Sequence, residues 1–206
     1  MTLRIGTLAI EPAVLMAPMA GITDSPFRRV LRSLGCPAVV TEMISSEGLI
    51  RRNRGSLVLM NHHPEEQPLL AQIFGAKADA MAEAARMVEE AGFAGIDINM
   101  GCPVLKVVRN GAGAALMREP DRAAELVRAV RQASRLPLSG KLRAGWNREE
   151  RNALEVAQKL EQAGADAICV HPRTRAQAYT GRADWDLIGQ VVRAVDIPVI
   201  GNGDLK

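Results

Sequence analysis

Short apolar runs alternate with longer amphipathic stretches along almost the whole chain, and no other feature limits the fold as strongly. Residues 14–19, 38–43, 69–74, 95–100, 138–143, 167–171 and 198–201 have the length and apolar content of buried strands. Between them lie helical patterns at 77–91, 121–134, 148–163 and 185–194, with a shorter one at 28–34 that ends at Gly35. Strand followed by helix, repeated, implies an α/β fold with a parallel sheet. Small-residue corners such as Ala91-Gly92 and Ala163-Gly164 suit a helix tucked back against the next strand.

Two parallel architectures fit that order, an open doubly wound sheet and a closed barrel. The polar residues choose between them. Gln72, Asn99, Lys141, His171 and Asn202 stand at the C-terminal ends of five different strands. An open sheet gathers its ligand at one switch point, whereas a barrel turns every strand end toward one mouth. We therefore expect a TIM (β/α)8-type barrel with about seven of its eight β/α units, since such barrels typically need about 250 residues and this chain has 206. The whole chain, 1–206, reads as one barrel domain, with an eighth strand and whatever follows it expected to be missing. A chain so shortened is expected to bind its cofactor poorly and to lack activity by itself.

Composition excludes several classes. A hydrophobic content of 48% against 24% charged residues argues for a packed core over disorder. No apolar run reaches the roughly 18 residues of a membrane span, and residues 1–14 lack a signal-like apolar stretch, so a cytoplasmic protein is expected. The three cysteines, Cys36, Cys102 and Cys169, form no CxxC pair, which speaks against zinc or a disulfide framework. A net charge of +3 permits a nucleic-acid partner without demanding one. Aromatic residues at 3% do not make a base-stacking platform.

Four strand ends carry the chemistry. Asn99-Met-Gly-Cys102-Pro103 closes the fourth; alternation puts Asp97 and Asn99 on one face, and Cys102 on the loop above the mouth. Cys36 and Cys169 read as structural thiols, Cys169 within an apolar strand. In the fifth strand Lys141 and Arg143 share a face. Two cations in one cavity call for an anionic or electron-rich partner, such as the N1–C2=O edge of a reduced flavin, or else Lys141 forms a Schiff base. His171-Pro-Arg173-Thr-Arg175 ends the sixth strand; His171 is placed to meet a flavin or a substrate, and the arginines phosphates or solvent. Gly201-Asn-Gly-Asp204 follows the seventh, where phosphate-binding barrels hold their phosphate.

Eight motifs in order resemble the bacterial tRNA-dihydrouridine synthases. They are Leu15-Met-Ala-Pro18-Met-Ala-Gly21-Ile-Thr-Asp24-Ser-Pro-Phe27-Arg28, Thr41-Glu-Met-Ile-Ser-Ser46, Gln72-Ile-Phe-Gly75, Asp97-Ile-Asn-Met-Gly-Cys-Pro103, Gly111-Ala-Gly-Ala-Ala-Leu116, Lys141-Leu-Arg143, His171-Pro-Arg-Thr-Arg175 and Gly201-Asn-Gly-Asp204. The resemblance implies FMN as cofactor and NADPH or NADH as reductant. Pro18, Met19 and Ala20 would line the flavin, Gln72 and Lys141 would bond its ring, and His171 would lie beside it. Asn202, Gly203 and Asp204 would approach its ribityl-phosphate end. Asn99, Arg143 and Arg173 would hold a uridine of the tRNA D-loop, and Cys102 would be the catalytic acid. Hydride would go to C6 of the uracil and the proton to C5 from the other face, which requires the base to leave the RNA stack. No metal is implied, and the complete enzyme is expected to be a monomer.

Where relatives carry two consecutive lysines after Gly-Cys-Pro, this chain has Leu105 before Lys106. Three other readings stay open on the residues alone. They are a flavin barrel acting on free pyrimidines, an aldolase using Lys141, and a non-catalytic fragment.

Overall fold

A computed structural model describes residues 1–205. The elements, in chain order, are β1 (Leu3–Ile5), β2 (Leu8–Ile10), α1 (Ser25–Ser33), β3 (Val39–Val40), β4 (Ile44–Ser45), α2 (Ser46–Ile50), α3 (Arg54–Met60), β5 (Leu69–Phe74) and α4 (Ala78–Glu90). They continue with β6 (Gly95–Asn99), α5 (Leu105–Val108), α6 (Pro120–Ala133), β7 (Leu138–Arg143), α7 (Ala153–Gln162), β8 (Ala167–His171), α8 (Trp185–Ala194) and β9 (Val199–Gly201). The main sheet is parallel and runs β3-β5-β6-β7-β8-β9, with β4 also paired to β5. This is the curved, helix-backed sheet of a β/α barrel.

Its strands divide their side chains by the period of two. Leu69, Ala71, Ile73, Ile96, Ile98, Leu138, Leu142, Ile168 and Val170 face the helices, and there they meet Met81, Val88, Leu126, Val127, Val130, Val156, Leu160 and Val191. The opposite face forms the barrel interior. At its N-terminal end Val40, Leu70 and Ala167 pack against Ile5 and Ile10 of the antiparallel β1–β2 hairpin, which plugs the barrel floor. The sequence reading did not anticipate that hairpin. Three-residue strands are too short for alternation to register, and they are stabilised by what they plug.

Three expected elements differ, each because a polar group takes backbone bonds locally. Residues 14–19 form no strand. They give one backbone hydrogen bond to the sheet, from Met16 N to Ala38 O (3.1 Å), while Val14 N donates to Pro12 O and Met19 N to the Thr23 hydroxyl. The stretch 38–43 is split into β3 and β4, because the Thr41 hydroxyl accepts from Gln72 N (3.0 Å) in place of a backbone carbonyl. The helix expected from 148 starts at Ala153. Asn147 Oδ1 accepts from the N–H groups of Glu149 (3.0 Å) and Glu150 (2.7 Å), an Asx turn that holds the chain out of helix.

Helix α1 is set by a buried ion pair. Asp24 caps its N-terminus through Phe27 N (3.0 Å). Arg28, 2% exposed, then donates to Glu66 (2.6 Å), which is fully buried and also accepts from Ser25 Oγ (2.5 Å) and His63 N (2.9 Å). Arg28 Nη1 donates to Thr23 O (2.7 Å). Thr23 in turn holds both the N–H and the carbonyl of Met19, so the pair anchors the 18–24 loop.

Candidate functional site

The C-terminal ends of β5 to β9 form a polar mouth above the apolar floor. Gln72 stands opposite Asp97, Asp97 opposite Ser139, Asn99 opposite Lys141, and Arg143 opposite His171. These residues share the inner face because each is two positions from the next on its strand, while Leu138 and Leu142 go to the core.

Their hydrogen bonds link them further. Gln72 Nε2 donates to Asp97 Oδ2 (2.7 Å), and Ser139 Oγ to Asp97 Oδ1 (2.5 Å). Asn99 Nδ2 donates to Gln72 Oε1 (2.9 Å), and Asn99 Oδ1 accepts from Cys102 N (2.9 Å) and Gly101 N (3.2 Å). Burial pushes the Asp97 carboxyl above the usual carboxylate range, against the pull of Gln72, Ser139 and the Lys141 charge. Lys141 Nζ reaches Asn202 Oδ1 (2.8 Å) across the end of β8 and lies 3.6 Å from Cys169 Sγ. Cys169 therefore belongs to the inner face beside a cation and not to an apolar surface, and burial raises its thiol pKa.

Cys102 sits half-buried on the loop after β6. Its N–H is held by Asn99, and its carbonyl accepts from Ala114 N (3.0 Å). A Cβ on Gly113 would lie 2.8 Å from that carbonyl, so the close approach requires glycine. The 111–116 motif, to which sequence reasoning gave no role, thus cradles the cysteine loop. Arg143, buried at 4% exposure, clamps the same loop through Gly101 O (2.7 Å). It also donates to Thr174 O (3.1 Å) and Ala178 O (2.9 Å), and its guanidinium lies 5.7 Å from the Tyr179 ring centre. Burial lowers its pKa from the usual arginine value. Tyr179, exposed and close to both Arg143 and His171, was not singled out in the sequence because nothing local marks a loop tyrosine.

Arg173 donates to Asp204 (2.8 Å), Gly181 O (2.6 Å) and Thr180 O (3.2 Å), with Nη1 3.4 Å from His171 Nε2. An arginine only donates, so Nε2 is the acceptor and the imidazole proton sits on Nδ1. Asp204 also accepts from Ala183 N (2.7 Å), and this bond together with Arg173 holds its carboxyl below the ordinary range. A Cβ on Gly203 would meet the His171 ring at 2.9 Å. Asn202, Gly203 and Asp204 are thereby brought against Lys141, His171 and Arg173. Pro18, Met19 and Ala20 stand in the loop before α1, where Thr23 holds Met19 and a Glu42 carboxylate accepts from Gly21 N. Arg175 turns away to the rim and stacks on Trp146 (4.7 Å), as does Arg118 (5.1 Å).

Burial, then the charges of Arg143, Lys141 and Arg173, lower the His171 pKa to about 4. Its unfolded value is near 6.5, so between the two the unfolded chain binds more protons. Stability from the neutral imidazole is complete above about pH 6.5 and is lost as pH falls toward about 4. The raised Asp97 contributes the opposite slope, so the expected result is a comparison. His171→Asn should flatten the fall in melting temperature between about pH 6.5 and 4, and parallel curves for variant and parent would contradict a neutral, half-buried His171.

Among the described residues, no group of three or more His, Cys, Asp or Glu side chains is arranged for a metal ion, and no helix is long and apolar enough to cross a membrane. The three cysteines are free.

A parallel β/α barrel whose mouth carries a loop cysteine beside inward-facing lysine and arginine defines a class of barrel proteins with their chemistry at the strand ends. Solved structures agree on the fold: an old yellow enzyme homologue from Zymomonas mobilis (TM-score 0.66, 11% identity, 100% of this chain and 82% of that one) and a morphinone reductase (0.65, 11%, 100% and 79%). The chain belongs to the dihydrouridine synthase family, whose model matches residues 15–206. It is 45% identical over 202 residues to tRNA-dihydrouridine synthase B of Pseudomonas syringae pv. tomato, covering 98% of this chain and 60% of that protein. It is 46% identical over 206 residues to a probable tRNA-dihydrouridine synthase of Rhodobacter capsulatus, covering 100% and 64%. The chain thus spans about three fifths of the length of these relatives.

Proposed function

We propose that this protein reduces the C5–C6 bond of a uridine in the tRNA D-loop, using FMN and NADPH, with Cys102 as the proton donor. The observation that carries the reading is the Cys102 loop, fixed from below by Asn99, from beside by Arg143 and from behind by Ala114, over a mouth containing Lys141.

The donor set fits FMN. Lys141 supplies a cation suited to the ring edge that becomes negative on reduction, Gln72 keeps one amide proton beyond its bond to Asp97, and Gly203 keeps the backbone open beside His171. Pro18, Met19 and Ala20 complete the lining from the first β/α unit, and Asn202 and Asp204 serve the ribityl-phosphate end. When bound and reduced by NADPH, the flavin would be the source of the hydride that uracil C6 takes up. The protein residues do the rest. Asn99 offers its second amide proton to a uracil carbonyl, Arg143 and Arg173 bring positive charge to the extruded nucleotide, and the Cys102 thiol gives its proton to C5. A base held in the RNA stack cannot reach these groups, so it must flip into the mouth at a cost of about a few kcal/mol. A polar mouth with few aromatics suits that task.

The direct test incubates the purified full-length protein with FMN, NADPH and tRNA lacking dihydrouridine. Appearance of dihydrouridine in tRNA, with none formed from free uracil or orotate, supports the reading; the reverse pattern sinks it. A narrower test concerns Lys141. Lys141→Met should weaken flavin binding and slow flavin reduction by NADPH, since the reduced ring loses its counter-charge. Parent-like flavin content and reduction rate in the variant would remove Lys141 from this role.

A further inference from the structure

We infer that Asp97 is a positioning residue that sets the Cys102 loop through two side-chain amides, an inference that rests on the reading of Cys102 as proton donor. The path is Asp97 to Gln72 to Asn99 to the N–H groups of Gly101 and Cys102, with contacts of 2.7, 2.9, 3.2 and 2.9 Å.

The two ends fix its direction. Backbone N–H groups only donate, so Asn99 must turn Oδ1 toward them and Nδ2 toward Gln72. Gln72 must then present Oε1 to Asn99 and Nε2 to residue 97. A carboxylate only accepts, so Asp97 matches this polarity at the far end, and Ser139 Oγ fills its other oxygen (2.5 Å). Either amide, turned over, would set donor against donor. Gln72, Asp97, Asn99 and Ser139 are 1%, 5%, 8% and 3% exposed, so solvent is not at hand to repair an inverted link. A buried carboxylate is costly to keep. Here it makes the amide of Asn99 point one way, and that amide holds the loop bearing the thiol.

The chain of bonds predicts a non-additive pair of substitutions. In Asp97→Asn, the new amide can turn its oxygen to Gln72 and its nitrogen to Ser139, whose hydroxyl accepts as readily as it donates; the direction survives. In Ser139→Ala, Asp97 still accepts from Gln72, and the direction again survives. In the double variant the amide introduced at position 97 has no partner at position 139 to orient it, so the far anchor of the path is lost and the Gly101 and Cys102 N–H groups alone are left to orient Asn99 and Gln72. Both changes are small and nearly isosteric, so folding is retained.

The expected result is that each single variant keeps the kcat for tRNA reduction within about threefold of the parent. The double variant should fall about tenfold or more below the product of the singles, in the range of coupling between contacting residues, with KM for tRNA unchanged. The alkylation rate of Cys102 by iodoacetamide in flavin-free protein, read by mass spectrometry of its peptide, should follow the same order. A double variant equal to the product of its singles in both readouts would overturn the inference. So would a single Asp97→Asn variant as impaired as the double, because charge and not bond direction would then matter. If the parent reduces no tRNA, the proposed function fails while the alkylation series still decides the role of Asp97.

Discussion

In the full-length protein, replacing Cys102 by alanine is expected to slow tRNA reduction about 10²–10⁴-fold, the usual worth of a positioned general acid, while flavin reduction by NADPH proceeds at the parent rate. The separation follows from the site. Lys141, Gln72 and Asn202 face the interior from β7, β5 and the end of β9, whereas Cys102 stands on the loop beyond β6. Its backbone, and not its sulfur, makes the contacts with Asn99 and Ala114. Alanine keeps those backbone bonds, so the loop holds its place and only the proton is lost. Stopped-flow measurement of the two half-reactions checks this. Equal tRNA turnover by variant and parent would take Cys102 out of the mechanism.

The largest effect on stability is expected at Arg28 and Glu66. Removing one partner of a buried pair costs about 3–5 kcal/mol, because the other charge stays buried without compensation. That is a large part of the roughly 5–15 kcal/mol that holds a domain together. Arg28→Met should therefore lower the urea midpoint sharply, with Glu66 left to Ser25 and His63 alone. Arg28→Met with Glu66→Leu should recover much of the loss, since replacing both charges with apolar groups of similar size is often neutral. Arg28 also holds Thr23 O, and Thr23 holds Met19, so the single variant should loosen the 18–24 loop as well. A single variant within about 1 kcal/mol of the parent would show that the pair does not bear on stability in the way its burial implies.

Much of the architecture is legible in the chain. The runs at Leu69–Phe74, Leu138–Arg143 and Ala167–His171 are strands with the expected bounds, because short runs with core-facing residues at every second position, set between helical patterns, have few other uses. The inward positions of Asp97, Asn99, Lys141 and Arg143 follow from the period of two. The weaker expectations are those in which a side chain competes with the backbone. Thr41, Thr23 and Asn147 each take hydrogen bonds that strand or helix periodicity assigns to the main chain. Cys169 departs from its expected apolar setting because neighbours in sequence are not neighbours in space: Ile168 and Val170 face the helices while Cys169 faces Lys141.

The sequence by itself determined the class of fold, the family and the strand ends at which the chemistry gathers, because strand and helix periods and ordered motifs are local quantities. Only the tertiary structure decided what each polar group does there. It joined Lys141 to Asn202, Arg173 to His171 and Asp204, and Asp97 to Cys102 through Gln72 and Asn99. Most of these partners are far apart along the chain. Hydrogen-bond direction and burial depend on which strands lie side by side, and it is the parallel register of the sheet that sets this.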